Sequence, residues 1–437
     1  MIITGVAAPV VLAQVSQTLM GLIDTMMVGR LGPESLAAVA VSTLLFSAVA
    51  MSIKSVDVAV QTFTARRVGQ SRDAEVGAVL ATAITISLPV GAVFMAVGLL
   101  WPESLMRVVT GDDQVRELGA QYLVFRYLGI LPLIIYFQVK GMFDGIGWTR
   151  IGMMVGVGMN LVNVVLNWVL IFGHWGARPM GVGGAALAST LSTLLAAAAI
   201  LWLALREPVR RRFQIFNRHN IHRELVRPFS SIAWPPAVQT LGIVLGFLIF
   251  YSILGKISVL AVATGSVVLR IAAVSFMPGV GVGAGVQTLV GQSLGRNDIH
   301  GARRVAWAGV GLSVMIMGSL GLLFVFLPVP IMKLFSNEPG LIAAGVPILR
   351  LMGLVQIIDA VGLTLSGALR GAGATKAVML VDVCSGFLLM PPLAWLFGIV
   401  FNWGLLGAWF GLLIWFTIYA LALTILFTRT HWQELKI

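Results

Sequence analysis

The sequence predicts an all-α polytopic membrane protein: twelve transmembrane helices in two six-helix bundles, related by a pseudo-two-fold axis along the membrane normal. Three observations predict it. Of the 437 residues, 58% are hydrophobic and only 11% charged, and the mean hydropathy is +0.97, unlike any soluble domain of this length. Twelve apolar runs follow one another, each long enough to supply the roughly 20 residues that cross a bilayer. The two halves of the chain also repeat at one constant offset.

The runs fall at 2–29, 35–63, 76–101, 117–141, 150–173 and 182–205, then at 229–254, 258–290, 303–328, 343–369, 375–400 and 404–428. The chain therefore divides into an N-terminal bundle over 1–205, a cytoplasmic linker over 206–228, and a C-terminal bundle with a short tail over 229–437. The Arg, His and Glu content of the linker suits a solvated loop or a short amphipathic helix on anionic lipid. With both termini on one side, that side holds 19 of the 29 Lys and Arg residues, seven of them between Arg206 and Arg227. The opposite side holds six: Arg30, Arg107, Arg116, Arg178, Lys256 and Lys333. Lys54, Arg126, Arg270 and Arg350 fall within runs. The excess puts both termini in the cytoplasm, with the chain multi-pass in the cell inner membrane. The net charge of +12 then reports topology, and a nucleic-acid partner is rejected. Met1 leads almost directly into the first run without a basic n-region or cleavage site, so no removed signal peptide is expected. The single cysteine, Cys384, excludes an intrachain disulfide.

The repeat pairs Pro9 with Pro235, an offset of 235 − 9 = 226. At the same offset Val60-Gln61-Thr62 meets Val286-Gln287-Thr288, and Gly69 meets Gly295. Gly141, Gly145, Gly147 and Thr149 meet Gly367, Gly371, Gly373 and Thr375. Each half has six spans, so both start on the cytoplasmic side. They are parallel repeats, as in transporters that rock two bundles.

The first span carries the most informative residue. Asp24 lies well inside its outer end, where a charge costs roughly 3 kcal/mol on insertion scales, so it is a functional candidate. Gln17 lies two turns earlier on the same face. Pro9 leaves a carbonyl without its helix partner and favours a kink. On the fifth span, Asn160, Asn163 and Asn167 are three and four residues apart and form one polar stripe. The repeat partners of Asp24 and the three asparagines are Phe250, Gly386, Leu389 and Leu393, so the polar interior belongs to one half only. Asp24 and Asn167 both sit about 9 Å inside the external boundary. These residues predict a polar pocket open toward the outer half of the membrane. Gln17, Met20 and Asp24 line one wall and the asparagines another, with a hydroxyl from Ser189. The competing reading is that the amides only tie helices together, at about 0.6 kcal/mol each.

Other buried charges carry less. Asp57 is one turn from Lys54, which a local ion pair explains. Asp359 has no basic residue one turn away and is a second ionisable candidate, structural or functional; Asp382 is similar. Arg270, unpaired locally, is a candidate partner for one of these acids. Asp144 is expected to reach solvent near the cytoplasmic end. Met20 and Met159 offer soft, adaptable walls. No metal-ligand spacing, P-loop or nucleophile elbow is present, so an enzyme is not expected, and transport would draw on an ion gradient. No cofactor is expected beyond the coupling ion. The expected partners are small cationic drugs and the lipid bilayer, and the expected state is a monomer.

These motifs resemble the multidrug and toxic compound extrusion (MATE) family. The matches are the first-span pattern from Pro9 to Gly32, GVQTLVGQSLG at Gly285–Gly295, SGALRGAGATK at Ser366–Lys376, and N-x-x-L-N-x-x-L-I-F-G at Asn163–Gly173. The resemblance implies a secondary efflux antiporter that expels cationic amphiphilic drugs against H⁺ or Na⁺. It identifies Asp24 as the first-span acid, Pro9 as the bend site, and Asn163 with Asn167 as the fifth-span polar pair. Many relatives carry Asp where this chain has Asn167, and sodium-type members often add an acid on span seven, which 229–254 lacks. Asp359 does match the span-ten acid of that group. The resemblance therefore favours H⁺ coupling through Asp24, with Asn163, Asn167, Ser189 and Asp359 as supporting groups. Na⁺ coupling is the alternative. The chain starts closer to its first span than such relatives usually do, so the native start is expected upstream of Met1. A flippase for a lipid-linked or amphiphilic substrate is the other reading. A passive channel is disfavoured because no span repeats polar residues along a pore lining.

Overall fold

The computed structural model describes residues 2–217, 223–430 and 432–435. Residues 218–222 of the expected linker, with Met1, His431, Lys436 and Ile437, lie outside the described residues. The chain is helical almost throughout, without a strand among the described residues. In order the helices are α1 (Ile2–Gly29), α2 (Pro33–Lys54), α3 (Val56–Gly69), α4 (Val76–Leu100), α5 (Pro102–Arg107), α6 (Asp113–Leu128), α7 (Ile130–Ile146), α8 (Thr149–Phe172), α9 (Gly181–Leu205) and α10 (Glu207–Phe213). The second half gives α11 (Arg223–Ile257), α12 (Val259–Gly295), α13 (Ile299–Phe326), α14 (Pro328–Lys333), α15 (Pro339–Gly371), α16 (Thr375–Leu388), α17 (Met390–Trp395) and α18 (Gly404–Arg429).

Among the described residues, eleven helical stretches are long and apolar enough to cross a membrane, and the pair α6 and α7, bent by 46°, makes twelve when counted as one span. The protein is thus a multi-pass membrane protein of the predicted class. The bend falls inside the apolar run at 117–141. Gly129 separates the two helices, and Pro132 in the first turn of α7 removes a donor from the ladder there. The run 375–400 is likewise divided at Leu389, just ahead of Pro391 and Pro392, and ends in one π-helical turn at Leu396–Val400.

Local chemistry sets the helix ends. Proline opens α2, α5, α14 and α15, where its missing N–H would be unsatisfied anyway. Asp112, Ser258 and Asp298 cap α6, α12 and α13 by accepting from Val115 N at 2.8 Å, Ala261 N at 3.0 Å and Gly301 N at 2.7 Å, satisfying orphan donors of the first turn.

Backbone contacts divide the chain into two compact units, Leu12–Ala237 and a second made of Met1–Val11 with Val238–Ile437. The boundary cuts α1 two residues after Pro9. In the first unit, Phe46, Ile53, Met106, Leu123 and Ile134 form one apolar cluster, and Val28, Tyr122, Ile171 and Val182 another. α10 lies on this unit: Phe213 is buried, and Arg212 Nε meets Asp73 Oδ2 at 2.8 Å. In the second unit, Phe250, Met352, Trp409 and Leu412 form one cluster. Val286, Leu369, Phe427 and Trp432 form another.

Each unit uses the repeated glycines in the same way. A Cβ at Gly141 would lie 2.9 Å from the Asp57 carbonyl oxygen, and one at Gly145 would lie 2.6 Å from that of Gln61. Their counterparts Gly367 and Gly371 would meet the carbonyl oxygens of Gly283 and Gln287, each at 2.2 Å. The repeat is therefore a backbone-contact motif, in which α7 rides on α3 as α15 rides on α12. In lipid no hydrophobic force drives helices together, so close backbone approach over small residues carries the packing.

Candidate functional site

α8 has one buried face, formed by Thr149, Gly152, Gly156, Asn160, Asn163, Asn167 and Ile171. The asparagine stripe lies on it, and the first unit surrounds it with hydroxyls and one acid. Asn167 Nδ2 donates to Asp24 Oδ1 at 2.5 Å and to Asn163 Oδ1 at 2.9 Å. Asn163 Nδ2 in turn donates to Ser189 Oγ at 3.2 Å and Ser192 Oγ at 3.4 Å on α9. Asp24, Asn167, Asn163 and Ser189 thus form one hydrogen-bonded row across α1, α8 and α9. Asn163 and Asn167 are 0% and 1% exposed, whereas Asp24 is half-buried, so the row ends on an accessible carboxylate.

Two turns deeper, Asn160 Nδ2 donates to Ser16 Oγ at 2.8 Å. Parallel helices meet there in register: Ser16 and Asp24 are eight residues apart on α1, and Asn160 and Asn167 seven apart on α8. Gln17, expected to line the wall, is exposed, and Met20 is half-buried. Ser16, one position away, makes the contact instead. Arg126 on α6 also acts on Asp24 electrostatically, and its guanidinium stacks over the Phe46 ring at 4.1 Å.

The second unit holds a separate acidic group. Asp359 on α15 and Asp382 on α16 are both buried and interact electrostatically. Gln239 Nε2 on α11 donates to Asp382 Oδ2 at 2.6 Å, and the Tyr419 hydroxyl on α18 donates to the same carboxylate. The nearby cation is Arg370. Arg270, the partner considered from sequence, acts on Tyr251.

Lys54 and Asp57 interact electrostatically, and Lys54 Nζ lies 5.6 Å from the Phe137 ring centroid. Asp144 departs from its expected exposure. It is buried and ion-paired to Lys140 one turn away on α7. Among the described residues no three His, Cys, Asp or Glu side chains gather to hold a metal ion.

The geometry can therefore hold one cation or one proton at Asp24. An ionised carboxylate attracts a cation, while a protonated one offers a single O–H donor. Comparisons with known proteins agree with this architecture. A family model described as MatE matches residues 9–169 and again 235–396, starting at the two prolines that the internal repeat equates. A curated relative named "Probable multidrug resistance protein NorM", from Bacillus cereus, is 26% identical over 93% of this chain and 90% of its own length. A solved structure described as an outward-facing multidrug resistance MATE family transporter of the MOP superfamily is similar at a TM-score of 0.91 and 20% identity. That similarity covers 100% of this chain and 96% of the other. A MOP superfamily transporter from Pyrococcus furiosus is similar at a TM-score of 0.90 and 20% identity, covering 97% and 94%.

Proposed function

The chain belongs to the MatE family, and from that premise we propose that it is a secondary active antiporter that exports cationic amphiphilic drugs in exchange for protons by alternating access. The observation that carries the reading is the hydrogen bond from Asn167 to Asp24, which ends a buried amide row on a single accessible carboxylate. One carboxylate holds one monovalent cation or one proton, and the two exclude each other. Ionised Asp24 helps to hold the drug. Facing outward it takes a proton, the attraction is lost, and α1 bends at Pro9 to shrink the site. Protonation changes the affinity, and the two six-span halves supply the element with two states. The curated relative's name supports drugs as the substrate class.

A one-for-one exchange of a proton for a monovalent cation moves no net charge. The pH gradient alone then drives it, at about 1.4 kcal/mol, or roughly tenfold accumulation, per pH unit. At Asp24 the Asn167 side chain presents an N–H rather than its oxygen, and an N–H does not coordinate Na⁺. The acidic group of the second unit is the observation that favours the alternative, since Asp359 and Asp382 with Gln239 offer the oxygen ligands a hard cation takes. Transport in vesicles with an imposed pH gradient or an imposed sodium gradient separates the two; the proton reading expects drug movement with the first and not the second.

Pro9 gives a further test. Pro9→Ala restores the missing backbone donor and straightens the helix at that point. Turnover is expected to fall while equilibrium drug binding is retained. Unchanged turnover removes the bend from the mechanism.

A further inference from the structure

A proton taken up at Asp24 from outside has to leave toward the cytoplasm. The buried face of α8 continues in that direction past Asn160, as Gly156, Gly152 and Thr149. The two glycines admit a polar face of α7. A Cβ at Gly156 would lie 3.0 Å from the Tyr136 hydroxyl, and one at Gly152 would lie 3.1 Å from Lys140 Cγ and 3.4 Å from Asp144 Oδ1. Tyr136, Lys140 and Asp144 are spaced four apart on α7 and so share one side of it. Lys140 is ion-paired to Asp144 and acts on Asp57 of α3 as well, and Lys54 of α2 joins the group. Two carboxylates and two ammonium groups therefore stand together at the inner end of the same helix face that holds Asp24 at its outer end.

The backbone plan does not require these charges. At the offset of 226, Lys54, Asp57, Tyr136 and Lys140 pair with the uncharged Val280, Gly283, Gly362 and Ser366, and Asp144 pairs with a residue of opposite charge, Arg370. The approach of Gly141 to the Asp57 carbonyl is reproduced by Gly367 against Gly283, where no charge is present. Ionisable groups in a membrane span are costly and mark proton relays.

We propose that this charge group is the inner end of a proton path that starts at Asp24 and follows the buried face of α8, with the Tyr136 hydroxyl as the relay between the amide row and Asp144. The proposal rests on the reading of Asp24 as the coupling acid. From Asn167 to Gly152 the path is about 22 Å long, fifteen residues of helix rise. The amides order water along it and do not carry the proton. Asn160 Oδ1, buried without a donor among the described residues, is an acceptor of the kind that ordered water satisfies. The transfer balances. The O–H bond of Asp24 breaks as drug enters and the acid ionises. Water passes the proton inward, the Tyr136 hydroxyl accepts one proton and releases another, and an O–H bond forms on Asp144. That proton then leaves to cytoplasmic water as Asp144 and Lys140 pair again.

The test compares drug uptake driven by a pH gradient with drug-for-drug exchange at equal pH, in proteoliposomes holding wild type, Tyr136→Phe or Asp144→Asn. Tyr136→Phe keeps the ring and its packing, so it remains informative if Asp144→Asn fails to fold. In Tyr136→Phe the gradient-driven rate is expected to fall by about tenfold or more, on the scale of a lost proton-transfer group, with the exchange rate retained. Gradient-driven uptake at the wild-type rate in Tyr136→Phe overturns the path, and so does an equal fall in both rates, which is the mark of a structural role. A wild type that ignores the pH gradient instead removes the coupling reading on which the path depends.

Discussion

Asp24→Asn is expected to abolish drug efflux driven by a pH gradient while the protein still accumulates, folded, in the membrane. Asparagine keeps the shape of the side chain and an oxygen that can accept from Asn167 Nδ2, whose bond to Asp24 measures 2.5 Å, so the α1–α8 contact survives. What disappears is the charge and the ability to exchange a proton. A cation about 4 Å from a carboxylate gains roughly 4 kcal/mol at an effective dielectric near 20, before desolvation is subtracted. Drug binding is therefore expected to weaken between about tenfold and a hundredfold, or about 1.4 to 2.7 kcal/mol. The pH response should vanish outright because no other group in the row titrates. Ethidium or norfloxacin efflux from vesicles under an imposed pH gradient measures this, with the membrane content of the variant checked alongside. Wild-type efflux in the variant removes Asp24 from the coupling mechanism.

The second large effect is on stability. Gly371→Ala is expected to leave little well-folded protein, because the new methyl would stand 2.2 Å from the Gln287 carbonyl oxygen and 3.0 Å from the Gln287 Cα. No side chain rotates to relieve that clash; α12 and α15 have to move apart. Overpacking costs typically about 1–3 kcal/mol where side chains adjust, and here the obstacle is backbone, so the upper end or more is expected. Gly145→Ala makes the same change in the first unit, 2.6 Å from the Gln61 carbonyl oxygen, and is expected to act in the same direction. Gly386→Ala is the control: a methyl there meets nothing within 4 Å and gains up to about 1 kcal/mol of helix propensity. Thermal unfolding of the detergent-purified variants reads the contrast. Equal midpoints for Gly371→Ala and Gly386→Ala contradict the backbone-contact account of the repeat.

Much of the fold was legible because the bilayer leaves few choices. Apolar runs and basic loops map spans directly, and the offset of 226 exposed the duplication. The details lost were those that a one-dimensional run conceals. The bend between α6 and α7 depends on Gly129 and Pro132 acting together inside an apolar stretch. Asp24 and the asparagine stripe were legible because charge and amides stand out in an apolar helix and helical spacing aligns them. Ser16 was missed in favour of Gln17, since a periodicity argument fixes a face only to within a residue. Ser192 and Arg126 were missed because the side of α8 or α1 that another helix covers is not written in either helix alone. The group of Gln239, Asp382 and Tyr419 spans three helices for the same reason. Tyr136, Lys140 and Asp144 did carry a signal, the four-residue spacing. The expectation that Asp144 reaches solvent at the cytoplasmic end hides it.

The measurement closest to the central claim is proton release on drug binding, made on the purified protein in weakly buffered solution on the acid side of neutrality. If drug and proton compete for Asp24, wild type releases protons into solution as drug binds, and Asp24→Asn binds the remaining drug without releasing any. Drug binding that releases no protons in wild type, or equal release in the variant, would contradict the account.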